Sequence, residues 1–345
     1  MHLARYPRRF YAHLPTPLEP LPRFSSALGG PNIWIKRDDC TGLAGGGNKT
    51  RKLEFLLGEA LAQNSDIIIT QGAIQSNHAR QTAAAAAREG LECHLLLEDR
   101  TLSEDTDYLY NGNVMMDSLL GATLHYRKQG TDMQQAMELL ADEMRAQGRS
   151  PYVMKGGGSN HVGALGYVNA AIELVNQCNN LDLHIQQLVH ATGSGGTQAG
   201  LVAGMVGLNS HIPVLGVGVR APAPQQKANV MREAQATLHH LDIDHTLRED
   251  DVLVNCDYVG EGYGIPNAGT LEAIELLAKT EGIFLDPVYS GKGMAGLIDL
   301  IRKGYYQPED NIVFLHTGGA QALPGYRSAF AFGDYLIGVE RGAAD

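Results

Sequence analysis

Apolar positions recur along this chain with two periods that alternate from one end to the other. Short runs rich in β-branched residues predict strands: IWIK (33–36), DIIITQG (66–72), ECHLLLED (92–99), ATLHYR (122–127), QQLVHA (186–191), VLGVGV (214–219) and NIVFLHTGG (311–319). Between them the spacing turns helical. In KTRKLEFLLGEALAQ, Leu53, Leu56, Leu57, Ala60 and Leu61 fall on one face. HARQTAAAAAREG, residues 106–120, DMQQAMELLADEMRAQG, residues 163–178, GLVAGMVGL, GTLEAIELLAKTEG and GMAGLIDLIRKG predict further helices, several of them ending at glycine. This alternation predicts an α/β fold, a parallel sheet with helices on both faces, whose ligands gather where loops leave the carboxyl ends of the strands. No polar linker is long enough to separate independently folding halves.

Composition narrows the function. Of 345 residues, 41 are glycine, well above the roughly 7% of an average chain, and they cluster in loops where backbone must approach something closely. The net charge is −11, from 27 basic and 38 acidic residues. The short basic groups Arg5/Arg8/Arg9 and Lys49/Arg51/Lys52 make no stripe, so no nucleic-acid partner is expected. No apolar run approaches the ~20 residues of a membrane span. The opening MHLARYPRRF has no apolar core of the signal-peptide kind. A cytoplasmic protein without membrane contact is expected. The cysteines, Cys40, Cys93, Cys178 and Cys256, form no C-x-x-C pair and predict buried free thiols. His239, His240 and His245 form the densest histidine group, but they lie in the polar stretch LHHLDIDH and read as solvated; no metal site is expected.

Several turns carry candidate chemistry. The segment IKRDDCTGLAGGGNKTRKLEF sets Lys49 behind a flexible turn and at the start of a helix. The positive end of the helix dipole disfavours a cation there, and an amine that loses its proton easily is a nucleophile toward a carbonyl. The segment ATGSGGTQAG (191–200) leads from a strand into a helix. Gly193, Gly195 and Gly196 let backbone N–H groups close in, and Ser194 and Thr197 add hydroxyls, which together make a phosphate cradle. Neither the P-loop lysine nor the dinucleotide fingerprint is present, so the phosphate belongs to something other than a nucleotide. In GAIQSNHARQ (72–81), Ser76 and Asn77 open a helix, as caps or as polar groups facing the cleft. Tyr263 in GEGYGIPN and Tyr289 in LDPVYSGKG are loop phenols able to act as acid or base. Arg220 follows VLGVGV, and its fork suits the paired oxygens of a sulfonate or carboxylate. Thr317 closes the last strand in HTGGA (316–320).

In order along the chain, GGNKTRKLEFL, GAIQSNHARQTAA, GGSNHVGALGY, GSGGTQAGL, EGYGIP, LDPVYSGKGMAGLIDL and FLHTGGA resemble the fold-type-II pyridoxal-phosphate enzymes of the D-cysteine desulfhydrase and 1-aminocyclopropane-1-carboxylate deaminase group. The resemblance implies two open, mostly parallel sheets flanked by helices, as in the tryptophan synthase β-like fold. A small domain, 52–166, would be inserted in a large cofactor-binding domain, 1–51 plus 167–345. It implies pyridoxal 5′-phosphate carried on Lys49, the residue that also takes the α-proton. Asn77 would meet the cofactor's 3′-oxygen, Gly193, Ser194, Gly195, Gly196 and Thr197 its phosphate, and Thr317 its pyridine nitrogen. Ser76, Tyr263 and Tyr289 would surround a small amino-acid substrate, with Gln75, Asn77 and Arg220 completing its binding. A homodimer is also implied.

Where the deaminases of the group carry a glutamate after the DPVY tyrosine, this chain has Ser290, which turns the reading toward the desulfhydrases. MHLARYPRRF, HLPTPLEPLPRF, IWIKRDDCTGL, GVGVRAPAP and DYVGEGYGIP are similar to the sulfo-lyases of the group, which release sulfite from L-cysteate. The expected activity is β-elimination by a carbon–sulfur lyase, with L-cysteate or D-cysteine as substrate.

Overall fold

Ile67, Ile68 and Ile69 are all fully buried, although successive side chains of a strand point to opposite faces. Ile68 joins Leu95 and Leu97 in the main core, while Ile67 and Ile69 join Leu96, Met137 and Ala141 on the far side. A sheet covered on both faces explains why the strands read as continuous apolar runs. The computed structural model describes residues 1–330 and contains two such sheets. Residues 331–345, the end of the expected large domain, lie outside the described residues.

The strands are β1 (Leu18–Pro20), β2 (Asn32–Arg37), β3 (Ile67–Ala73), β4 (Glu92–Glu98), β5 (Thr123–Arg127), β6 (Pro151–Met154), β7 (Gln187–Thr192), β8 (Val214–Gly218), β9 (Leu253–Asn255) and β10 (Asn311–His316). The larger sheet has the order β1-β2-β10-β7-β8-β9 and is parallel except for β1. The smaller, β5-β4-β3-β6, is parallel throughout. The expected α/β architecture of two mostly parallel sheets is therefore what the chain adopts. Helices Pro22–Leu28, Ala268–Glu281 and Ser290–Arg302 set Phe24, Leu277 and Met294 against Ile35, Val189 and Phe314 of the larger sheet. Helices Lys49–Ala62, His161–Leu181, Gly196–Leu208 and Ala223–His240 share the main core with residues of both sheets.

A buried ion network pins the helix that begins at Lys49. Arg51 grips Asp38 with two hydrogen bonds, Nε and Nη2 each donating at 2.8 Å. The same guanidinium donates to Glu173 on His161–Leu181 at 2.9 and 3.1 Å. Lys36 on β2 adds a third link, donating to Glu173 at 2.5 Å and to the Thr16 carbonyl at 2.6 Å. With their charges paired and hydrogen-bonded, these groups tolerate burial, and together they fix the helix start against β2.

Several expectations need correction. The helix expected over 106–120 is two, Thr106–Tyr110 and Asn113–Leu119, because Asn111 is extended and Gly112 sits at φ +61°. The helix Ala223–His240 escaped the periodicity because Gln226, Glu233 and Thr237 are polar yet buried beside Val230, Ala234 and Leu238. Those polar groups find partners: Gln226 donates to Thr192 at 3.1 Å, Thr237 to the Glu233 carbonyl at 2.7 Å, and Glu233 accepts from Lys155 at 2.8 Å. The stretch read as solvated histidines starts in this helix, where His240 packs 4.7 Å from both Tyr6 and His161. All four cysteines are free, but only Cys93 and Cys178 are buried; Cys256 is half-buried and Cys40 exposed. No helix among the described residues is long and apolar enough to cross a membrane.

Candidate active site

Lys49 is the first residue of its helix, and the turn before it is held tightly. At Gly46 (φ +84°) a Cβ would lie 1.9 Å from the Asp39 carbonyl oxygen, so only glycine fits there. The turn is joined to the end of the last strand and to the start of the helix Gly196–Leu208. Asn48 N–H donates to the Thr317 carbonyl at 3.0 Å, and Asn48 Nδ2 donates to Thr197 Oγ1 at 3.0 Å. The lysine turn, the glycine-rich cradle and the last strand thus meet at one point. Lys49 is 8% exposed. Burial lowers its pKa to about 8, against a weaker opposing pull from the Asp286 carboxylate. The leading cause is thus desolvation, where the sequence had pointed to the helix end.

The cradle closes around a cavity of about 20 Å³ lined by Asn48, Lys49, Asn77, Gly193 to Gly195, Thr197, Tyr289 and Thr317. Gly195 turns the chain at φ +90° just before the helix Gly196–Leu208. Ser159 braces this turn from below: its Oγ shares a 2.7 Å hydrogen bond with Ser194 Oγ and accepts from Gly196 N–H at 3.3 Å. Lys52, one turn beyond Lys49, is 1% exposed and donates to the Gly157 carbonyl and to Ser159 Oγ, with no carboxylate in ion-pair contact among the described residues. Burial and the neighbouring Lys49 push its pKa well below the usual lysine range. A buried lysine amine beside hydroxyls and helix-start N–H groups is a cluster of donors, and a phosphate fits it. Sequence reasoning passed over Lys52, which looked like one more surface charge on a helix.

Asn77 is oriented by its neighbours. Its Oδ1 accepts from Asn113 Nδ2 at 2.9 Å and from Arg80 Nη1 at 3.2 Å, which leaves its amide N–H groups facing the cavity. A cleft of about 450 Å³ opens beside it and shares Lys49, His78, Gly193, Ser194 and Tyr289. Ser76 lines this cleft and also caps the helix Asn77–Glu89, accepting from Ala79 N–H at 3.1 Å. The two tyrosines come together: Tyr263 and Tyr289 share an Oη–Oη hydrogen bond of 2.8 Å, and Lys49 Nζ stands 5.9 Å from the Tyr289 ring centre. Lys292 clamps the Tyr263 loop by donating to the Val259 and Gly262 carbonyls. Arg220 lies exposed at the rim and forms no ion pair among the described residues. Gln75 departs from its expected place. Its amide donates to the Tyr108 and Asn111 carbonyls and accepts from Asn113 N–H, and it lines neither cavity.

Residues 10–318 match the family described as pyridoxal-phosphate dependent enzyme. Among solved structures, the chain is similar to an ACC deaminase homologue at 35% identity, over 95% of this chain and 98% of that one, with a TM-score of 0.85. Its fold is also that of a hydrogen sulfide-producing enzyme of Fusobacterium nucleatum, at 16% identity over 90% and 97% of the two chains, TM-score 0.60. Diaminopropionate ammonia lyase of Escherichia coli shares the fold at 15% identity over 92% and 85%, TM-score 0.64.

Proposed function

The chain belongs to the pyridoxal-phosphate-dependent enzyme family, and on that premise we propose that it is a carbon–sulfur lyase converting L-cysteate to pyruvate, sulfite and ammonium. Its cofactor is pyridoxal phosphate. In this reading Lys49 holds the cofactor covalently, Asn77 and Thr317 meet its ring substituents, and Gly193 to Thr197 with Lys52 hold its phosphate. When bound, the cofactor supplies a conjugated ring that takes up the electron pair left at the substrate α-carbon.

The remaining work falls to the chain. Burial holds the Lys49 pKa at about 8, so its Nζ is readily available to take the α-proton. The substrate carboxylate sits on the first-turn N–H groups of the helix Asn77–Glu89 beside Ser76 and Asn77, because helix starts lack intrahelical partners for those donors. Burial keeps the Tyr289 phenol protonated, and its hydrogen bond to Tyr263 makes one wall of the cleft. The C–S electron pair leaves with sulfur as sulfite, and one water releases ammonium from the remaining three-carbon fragment.

The observation that carries the substrate choice is the charge of the cleft. Four cationic side chains, Arg100, Lys155, Arg220 and Arg232, face it; Arg100 is paired with Glu98, Lys155 and Arg232 share Glu233, and Arg220 has no ion pair among the described residues. A substrate with two acid groups suits that imbalance better than cysteine, which has one. Ser290 is buried, donates to Asp286 at 2.6 Å and brings no acid to the site, which counts against ring opening of a cyclopropane amino acid.

A panel of L-cysteate, D-cysteine, L-cysteine and 3-chloro-D-alanine, with pyruvate, sulfite and sulfide all quantified, tests the reading. Sulfite and pyruvate in equal amounts from L-cysteate are expected; sulfide from D-cysteine without sulfite from L-cysteate would replace it with D-cysteine desulfhydration. Lys49→Ala should lose the visible cofactor band and at least about a thousandfold of turnover. Full activity in that variant would remove the lysine from the mechanism.

A further inference from the structure

Arg100 has a role that the sequence did not suggest. It follows β4 of the smaller sheet and lines the same cleft as Lys49, which stands between the two sheets' loops. Its Nε donates to Glu98 at 2.6 Å, fixing one edge of the guanidinium. Its Cζ lies over the Tyr263 ring, 5.2 Å from the centre, and the side chain is 17% exposed. Its two terminal nitrogens have no partner among the described residues and are not sealed from the cavity. An arginine held along one edge and one face, with its remaining donors open to a cleft, is a preorganised receptor for a group with two or three oxygens.

Its place relative to the chemistry is set by contacts. Arg100 touches Tyr263, Tyr263 bonds Tyr289 at 2.8 Å, and Tyr289 flanks Lys49. The base that takes a proton from Cα and a guanidinium paired with Glu98 only through its Nε edge therefore share one wall of aromatic rings. A substituent on Cβ lies two bonds from the carbon whose proton Lys49 removes.

We propose that Arg100 is the specificity residue for the leaving group, binding the β-sulfonate of the substrate and stabilising it as it departs. The inference rests on the reading of the chain as an L-cysteate lyase. In that step Lys49 Nζ takes the α-proton, the pair left on Cα forms the Cα–Cβ double bond, and the C–S pair goes to sulfur. The sulfonate thereby turns from a monoanion into sulfite, a dianion. A fixed cation there meets more charge in the transition state than in the ground state, so it accelerates the reaction as well as binding the substrate. Arg220 is exposed at the rim and makes no such contact with the tyrosine pair, so it attracts anions without gripping the leaving group.

The test compares L-cysteate with 3-chloro-L-alanine, which has the same α-carbon hand and an uncharged β-substituent, in the cofactor-loaded enzyme and in Arg100→Gln and Arg100→Lys. For Arg100→Gln, kcat/KM should fall by roughly a hundredfold or more with L-cysteate, in kcat as well as KM, and at least about tenfold less with 3-chloro-L-alanine. Arg100→Lys should recover part of the loss, because it restores the charge without the fork. Calorimetry with 3-sulfopropanoate, which has both acid groups and no amine to react, should show weakened binding to Arg100→Gln while the visible cofactor band is retained. Equal losses on the two substrates, or unchanged 3-sulfopropanoate binding, overturn the role of Arg100 and leave the lyase reading standing. A parent enzyme that releases no sulfite from L-cysteate overturns both.

Discussion

Lys49 and Lys52 stand one helical turn apart, both buried, and the charge of Lys49 bears on Lys52. Lys49 must be neutral to attack a carbonyl, whereas Lys52 serves best as a cation facing phosphate. Desolvation depresses both pKa values in the free protein, and the arriving phosphate restores the charged form of Lys52 by supplying a counter-ion. Because the Lys49 pKa is lowered to about 8, its neutral fraction grows as pH rises through that value. The rate at which cofactor-free protein gains its visible band from added pyridoxal phosphate should therefore climb with pH and reach half its maximum near pH 8, about two units below an ordinary lysine at ~10.4. A midpoint at the ordinary lysine value would show that burial does not tune this amine.

At the scale of elements, the helix carrying both lysines depends on the Arg51–Asp38–Glu173 network for its position against β2 and His161–Leu181. Arg51 holds the carboxyls of Asp38 and Glu173 below their usual range, against the opposing effect of burial. A carboxylate with a depressed folded pKa stabilises the fold fully above its unfolded value, and that contribution is lost as pH falls through the folded value. The melting temperature should accordingly drop steeply on acidification below about pH 4. Asp38→Asn should cost about 3 kcal/mol at neutral pH and flatten that acid limb, since it leaves Arg51 half-paired and removes one titrating group. Calorimetric melts from pH 3 to 7 check both; an unchanged acid limb in the variant would discharge Asp38 from the network. The same elements show what a sequence can reveal. Buried parallel strands announce themselves as β-branched runs, and the Lys49 turn and the 193–197 cradle are local, their chemistry written within a few residues. Lys52, Arg80, Arg100 and Lys292 were silent because the contacts that give each its place come from distant parts of the chain: Ser159 for Lys52, Asn113 for Arg80, the Tyr263 ring for Arg100, and the Val259 and Gly262 carbonyls for Lys292. Gln75 failed for the converse reason: it borders Ser76 in sequence, yet the strand end turns its amide toward the 108–113 segment.

The molecule as a whole carries a net charge of −11, so at long range it repels the doubly acidic substrate proposed for it. Only the local field of the cleft can reverse that. Arg220, Arg232 and Lys155 stand at the cleft with Glu233 as their one carboxylate neighbour there, and Arg220 is the member whose charge no ion pair offsets among the described residues. Its influence reaches roughly a Debye length, about 10 Å at 0.1 M salt. Capture of L-cysteate should therefore weaken as ionic strength rises, with kcat/KM falling several-fold between roughly 0.01 and 0.3 M salt while kcat changes little. Arg220→Ala should lower kcat/KM by about tenfold at low salt, mainly through KM, and should flatten the salt dependence. A substrate with an uncharged β-substituent, such as 3-chloro-L-alanine, should respond weakly to both changes. If Arg220→Ala keeps the full salt dependence of its parent, the attraction comes from elsewhere on the surface, and the rim arginine is a bystander to substrate capture.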